Sequence, residues 1–238
     1  MSKPVSLVTG VSRGIGLAAV HRLARDGHEV IGLSRSAPPP GTPCTFVSVD
    51  LANATATDAA LKEITQRRTI SNLVNNAGVP VPDRAGEVTL EGYEQVMAVN
   101  VRASLQAMQA CLPGMQRQRY GRIVNISSRA ALGKAERSAY AIAKAGIIGL
   151  TRTWALEVGK DGINVNAIAP GGVVTELFEQ NNTREYVEKF AAATPLKRLG
   201  TPDELAGVIA FLLGPDASYI TGQTLFVCGG MSVTSSMI

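Results

Sequence analysis

A chain of 238 residues that is 45% hydrophobic can bury a substantial core, as one large domain or two small ones. Its formal net charge of +4 comes from 23 basic and 19 acidic residues that are interspersed, which excludes a nucleic-acid arm and leaves a mildly basic surface. Cys44, Cys111 and Cys228 are odd in number and never paired as Cys-x-x-Cys, and His21 and His28 are the only histidines. Neither a disulfide framework nor a metal site is expected. "MSKPVSLVTG" reaches a strand-like run without the pattern of a secretory leader, and no stretch approaches ~18 unbroken apolar residues. A cytoplasmic protein is expected.

The first predicted element is the strand "VSLVT", followed by "TGVSRGIG" and the helix "GIGLAAVHRLARDG". Gly10, Gly14 and Gly16 stand between strand and helix, where glycine admits positive φ and lets backbone amides approach a ligand. The helix N-terminus adds free N–H groups and the positive end of its dipole, a setting for an anion. Ser12, Arg13 and Ile15 belong to the same loop. The spacing is Gly-x-x-x-Gly-x-Gly, and no Gly-Lys-Ser/Thr follows, which excludes a Walker-type phosphate loop.

The second strand, "HEVIGLS", runs into Ser34 and Arg35 with no carboxylate at its end. In dinucleotide folds an acidic residue there takes the ribose hydroxyls and a basic one suits a 2′-phosphate. Arg35, with Arg13 approaching from the other side, therefore favours NADP(H) over NAD(H). "SAPPPGTP" reads as a turn, and the third strand, "CTFVSV", closes on Asp50, followed by Leu51. Asp50 suits either the adenine amino group or the N-cap of the next helix.

The helix "ATDAALKEITQRR" leads to the strand "SNLVNN" and then to one long helical segment, "TLEGYEQVMAVNVRASLQAMQACLPGMQRQ". The fifth strand, "GRIVNIS", ends at Ser127 and Ser128, either of which can present a hydroxyl to the residues that follow. In the helix "RSAYAIAKAGIIGLTRTWALEVGKDG", Tyr140 and Lys144 are four positions apart and share a face. An ammonium beside a phenol stabilises phenolate, lowering a pKa that is ordinarily ~10. A hydroxyl that donates to a carbonyl oxygen, next to a phenol that protonates it, suits a hydride-accepting carbonyl.

The strand "INVNAIA" is followed by a long connection, residues 175 to 200, that suits a lid. Thr201 then reads as an N-cap with Pro202 in the first turn and Glu204 three after the cap, opening "TPDELAGVIAFLLG". Gly27 and Gly162 mark helix ends, and "TLFVC" is the last strand. Seven strands alternating with helices predict a single-domain α/β Rossmann fold over residues 1–238, a doubly wound parallel sheet with helices on both faces. Its site is expected outside the carboxyl ends of the strands.

"TGVSRGIG", "NNAG", "NISS", "YAIAK", "NAIAPGGVVTEL" and "ITGQTLFVCGG", in this order over essentially the whole chain, resemble the short-chain dehydrogenase/reductase family, most of all its 3-oxoacyl-carrier-protein reductase type. The resemblance implies that Gly10, Gly14 and Gly16 form the cofactor loop and that Asn75, Asn76, Ala77 and Gly78 close the fourth strand beside the adenine ribose. It makes Ser128, Tyr140 and Lys144 a catalytic triad, which Asn100 completes as a tetrad by holding a water in a proton relay. Lys144 would also bind the nicotinamide ribose, and the segment of Pro170, Gly171, Val173 and Thr175 would secure the carboxamide.

Two departures stand out. Ser128 is one residue closer to Tyr140 than is usual in the family; Ser127 would restore the count, but strand alternation favours Ser128. Cys228 replaces the aspartate common in the C-terminal "VDGG".

The expected reaction is reduction of a ketone, a 3-oxoacyl thioester or small carbonyl, with Ser128 holding the oxygen, Tyr140 supplying the proton and Lys144 tuning the phenol. An alcohol or sugar dehydrogenase is the alternative within the family, and a non-catalytic NADPH sensor the alternative outside it. Residues up to about 100 would mainly hold the cofactor, and about 100–200 would supply the catalytic groups and lid. Lys134, Arg137, Arg117 and Arg119 are candidate contacts for an acidic acyl carrier protein of fatty acid biosynthesis. The family's usual homotetramer is expected, with Ala139, Ala141, Ala143, Ala145, Gly146 and Gly149 as a packing face opposite the Tyr140–Lys144 face.

Overall fold

Every predicted strand joins one parallel sheet in the computed structural model, which describes residues 3–180 and 182–234. The strands are β1 (Val5–Thr9), β2 (Glu29–Ser34), β3 (Thr45–Ser48), β4 (Asn72–Asn75), β5 (Gly121–Ile126), β6 (Ile163–Pro170) and β7 (Thr224–Val227), ordered β3-β2-β1-β4-β5-β6-β7. The helices are α1 (Gly14–Arg25), α2 (Ala54–Arg67), α3 (Leu90–Met97), α4 (Ala103–Gln118), α5 (Ser138–Val158), α6 (Glu176–Gln180), α7 (Arg184–Ala193) and α8 (Pro202–Leu213). This is the doubly wound, single-domain Rossmann architecture. The strand order reverses between β1 and β4, which opens a crevice beyond their carboxyl ends.

Strand alternation divides the core into two layers. Leu7, Leu73, Ile123 and Val165 face the side covered by α2, α4 and α5, where they meet Leu61, Met115 and Trp154. Val8, Val74, Val124 and Ile168 face α1 and α8, where they meet Val20, Leu23, Ile209 and Leu212. Both faces are buried, which is why the strands read as apolar runs. The Thr201 capping box forms as expected, its side chain accepting from the Glu204 N–H while Glu204 reaches back to the Thr201 N–H at 2.8 Å.

Three local expectations are corrected. The long helical segment is interrupted: between α3 and α4, residues Ala98–Arg102 form a wider π turn. Asn100 Nδ2 donates to the Val96 carbonyl, the acceptor an α turn would offer to the Asn100 N–H, and the ladder widens at that point. Asp50 is not a helix N-cap; Asn53 caps α2 by accepting from the Ala56 N–H, while Asp50 Oδ1 accepts from the Ala52 N–H just upstream. Finally, the packing and chemical faces of α5 are not opposite. Lys144 is buried on the same face as Ala139, Ala143 and Ile147, whereas Ala145, Gly146 and Gly149 are exposed.

Candidate active site

The turn from β1 into α1 is shaped by what its glycines touch. Gly10 has φ +75°, and a Cβ there would lie 3.0 Å from the Ala77 Cα. Gly16 is helical, so its constraint is contact rather than φ: a Cβ would fall 2.1 Å from the Gly10 carbonyl oxygen. Asn76 locks this turn against β4, its Nδ2 donating to the carbonyls of Thr9 at 2.9 Å and Gly10 at 3.1 Å. Thr9, which opens "TGVSRGIG" and has no role assigned from the sequence, accepts from the N–H groups of Asn76 and Ala77 at 3.0 Å each. Arg13, the N-cap of α1, makes no side-chain capping bond, which leaves first-turn N–H groups available to an anion.

A cleft of about 660 Å³ runs from this turn across the carboxyl ends of the strands. Gly10, Ser12, Arg13, Gly14 and Ile15 line its first part, with Ser34, Arg35, Asp50 and Leu51 beyond them. Asn76, Ala77 and Gly78 form the middle, and Ser128, Tyr140, Lys144, Pro170, Gly171, Val173 and Thr175 the far part. Of the residues given cofactor or catalytic roles from the sequence, Gly16, Asn75 and Asn100 do not line it: Gly16 packs beneath the turn, Asn75 is buried against Asn125, and Asn100 lies behind Gly78. The two arginines differ in their engagements. Arg13 pairs with Glu176 at 3.1 Å, whereas the exposed Arg35 has no ion pair among the described residues. The Ser34 hydroxyl donates to the Ser36 carbonyl at 2.8 Å.

The far part is held by a buried scaffold. Asn75 Nδ2 donates to Asn125 Oδ1 at 2.8 Å, and Asn125 Nδ2 donates to Thr151 Oγ1 at 2.9 Å, tying β4, β5 and α5 together. The Asp83 carboxylate accepts from the N–H groups of Ser138 and Ala139, the latter at 3.0 Å, and fixes the start of α5 just before Tyr140. Ser127 and Ser128 diverge as alternation requires. Ser127 is buried and donates to the Lys144 carbonyl at 2.7 Å, while Ser128 Oγ faces the cleft and accepts from the Ala130 N–H at 3.1 Å.

Lys144 Nζ lies 5.5 Å from the Tyr140 ring centroid and donates to the Ile126 carbonyl at 2.8 Å. Burial pushes its pKa down to about 8. Burial also raises the Tyr140 phenol, opposed by a hydrogen bond with Ser128 and by the charge of Arg137. The groups that pull the phenol down include Ser128 and Arg137, which the four-residue spacing of Tyr140 and Lys144 does not suggest. Asn100 donates through Nδ2 to the carbonyls of Val79 and Val96, and its buried Oδ1 has no partner among the described residues. That oxygen would lie 2.7 Å from a Cβ at Gly78, and Lys144 Nζ 3.2 Å. A glycine is needed there for asparagine and lysine to meet the cleft floor.

A nicotinamide dinucleotide fits this cleft on several counts: the close-packed glycine turn, the uncapped helix, the unpaired Arg35 at one end and the orphaned Asn100 oxygen near the other. Over the far end lie α6 and α7, whose Phe178, Tyr186 and Phe190 cluster with Cys228 and Met231. Cys228 keeps its turn together through sulfur, its Sγ accepting from the Ser232 N–H at 3.3 Å. Arg117 and Arg119 stand at the opposite end of the sheet, and Arg119 pairs with Asp161 at 3.6 Å. Arg137 is buried, so it is no surface contact.

The family model described as "Enoyl-(Acyl carrier protein) reductase" matches residues 10–232. The 3-oxoacyl-[acyl-carrier-protein] reductase FabG of Vibrio cholerae is 37% identical over 236 residues, covering 95% of this chain and 96% of its own. Among solved structures, a provisionally assigned NAD(P)-dependent gluconate 5-dehydrogenase from Beutenbergia cavernae with bound NADP superposes with a TM-score of 0.93 at 33% identity, over 98% of each chain. A variant of actinorhodin polyketide ketoreductase with NADPH gives 0.91 at 29% identity, also over 98% of each.

Proposed function

The chain belongs to the short-chain dehydrogenase/reductase family, and from that premise we propose that it is an NADPH-dependent ketoreductase acting on a 3-oxoacyl thioester or a small ketone. The observation that carries this reading is the convergence of Ser128, Tyr140 and Lys144 on the cleft that also holds the glycine turn. When bound, a nicotinamide dinucleotide would supply the hydride. Ser128 orients the carbonyl oxygen by donating to it, and Tyr140 gives that oxygen its proton as the charge develops. Lys144 holds the ribose and its ammonium sits behind the phenol, while Asn100 Oδ1 anchors the water that returns the proton. Arg35 would hold the 2′-phosphate, Asp50 the adenine amino group, and the backbone from Pro170 to Val173, with Thr175, the carboxamide. On this division residues up to about 100 mainly bind cofactor, and about 100–200 carry the chemistry and lid.

NADP-bound relatives support the cofactor choice, and FabG-type relatives support an acyl carrier protein as the bearer of the substrate. Three free cysteines suit a reducing, cytoplasmic setting, and no helix among the described residues is long and apolar enough to cross a membrane. The exposed Ile142, Gly146, Gly149 and Leu156 of α5 suit burial in a homotetramer. NADPH oxidation against a ketone panel that includes a 3-oxoacyl thioester tests the reading: turnover supports it, and cofactor binding without turnover of any carbonyl overturns it. The gluconate and aldohexose dehydrogenases among the similar structures favour a second reading, oxidation of a sugar or sugar acid. NADP reduction with such alcohols and no ketone reduction would select it.

A further inference from the structure

The loop between Ser128 and Tyr140 carries three cations, Arg129, Lys134 and Arg137, and all three line the far part of the cleft beside Tyr140. Arg129 and Arg137 are only 7% and 8% exposed. None of the three has an ion pair among the described residues. Arg129 rests on the Phe190 ring, its Cζ 5.8 Å from the centroid, and Lys134 Nζ lies 5.5 Å from the Tyr186 ring. Arg137 donates to the Glu136 main-chain carbonyl. The nearby carboxylates are engaged elsewhere: Asp83 caps α5, Glu136 pairs with Arg84, and Glu176 pairs with Arg13.

Crowding is evident in Lys134, whose pKa is pushed down to about 8 by burial and by the charges of Arg137 and Arg129. Buried cations without counterions are costly to keep, and a planar guanidinium is well matched to carboxylate or phosphate oxygens. We infer that the substrate carries an anionic group, carboxylate or phosphate, bound by Arg129, Lys134 and Arg137 while its carbonyl lies at Tyr140. This rests on the ketoreductase reading, since it places the anion relative to the reacting carbonyl. It also moves Lys134 and Arg137 from a docking surface to the substrate pocket.

The test uses pairs that differ in charge: acetoacetate and levulinate against their methyl esters, and the 3-oxobutanoyl thioester of coenzyme A against that of N-acetylcysteamine. Turnover is read as kcat/KM with NADPH, and binding separately by titration into Tyr140→Phe protein. A preference of about tenfold or more for acids over esters, reduced in Lys134→Gln and Arg137→Gln, supports the inference and assigns a carboxylate. Preference for the coenzyme A thioester with acids and esters equal, reduced in Lys134→Gln, supports it and assigns a phosphate; the same preference unchanged in that variant overturns it. Lys134→Gln, at a half-buried position, keeps the test open where Arg137→Gln fails to fold. Acids that bind better than esters, with neither reduced, keep the anion site and overturn the ketoreductase reading. Equal binding and turnover across both kinds of pair overturn the anion site and leave that reading standing.

Discussion

Lys144 Nζ donates to the main-chain carbonyl of Ile126 at 2.8 Å, a buried ammonium whose only hydrogen bond among the described residues is to the end of β5. Its folded pKa of about 8 lies below the ordinary 10.5, so the folded state disfavours the charge. At neutral pH the group is charged in both states and destabilises the fold, by about 3 kcal/mol before relaxation. That penalty shrinks as pH rises from about 8 toward 10.5. Lys144→Met is expected to raise the melting temperature at neutral pH, by less than the full penalty, and to abolish turnover. Thermal unfolding of both proteins at pH 7 and pH 9 checks this, the gap between them narrowing at the higher pH.

The same titration bears on activity. The raised Tyr140 phenol stays protonated through neutral pH, while Lys144 loses its charge above about 8. The rate of ketone reduction, as kcat/KM, is expected to hold below that pH and fall above it. Lys134 titrates in the same range, so the falling limb is expected to persist in Lys134→Gln. Loss of the limb in that variant would assign it to the loop cation.

Gly16→Ala places a methyl 2.1 Å from the Gly10 carbonyl oxygen, a main-chain atom that cannot rotate away. The turn must shift, at a cost of about 1–3 kcal/mol for overpacking, and the N–H groups that face the cleft shift with it. Denaturant unfolding should show the loss of stability, and NADPH titration a weaker Kd. Unchanged affinity would separate the glycine turn from the cofactor.

Arg35→Ala is expected to weaken NADPH binding by about 1.5–3 kcal/mol, tenfold or more in Kd, and to leave NADH nearly unaffected. Arg35 is exposed and makes no ion pair among the described residues, so little stability should be lost. Fluorescence titration with both dinucleotides reads the ratio. An equal loss for both would remove Arg35 from the 2′-phosphate.

The parallel sheet was legible because both faces of each central strand are buried, which leaves short, largely apolar runs such as those in "SNLVNN" and "GRIVNIS". The glycine turn was legible from spacing, although Gly16 is required for contact rather than for φ. The divergence of the Ser127 and Ser128 side chains followed from alternation alone. Less legible were features set by distant partners. Asp83 sits in an unremarkable stretch and becomes a helix cap only because α5 starts beside it. The π turn at Asn100 depends on one side-chain bond to Val96. Arg129 and Arg137 look like solvated charges in sequence, and only the fold turns them inward.

NADPH consumption by wild-type and Tyr140→Phe protein, compared on one accepted ketone at saturating cofactor, bears most directly on the chemistry assigned to the cleft. Loss of the general acid is expected to lower kcat by about 10²–10⁴ in a protein that still binds NADPH, because the phenol acts on the carbonyl and not on the dinucleotide. Wild-type-like kcat in Tyr140→Phe would contradict it.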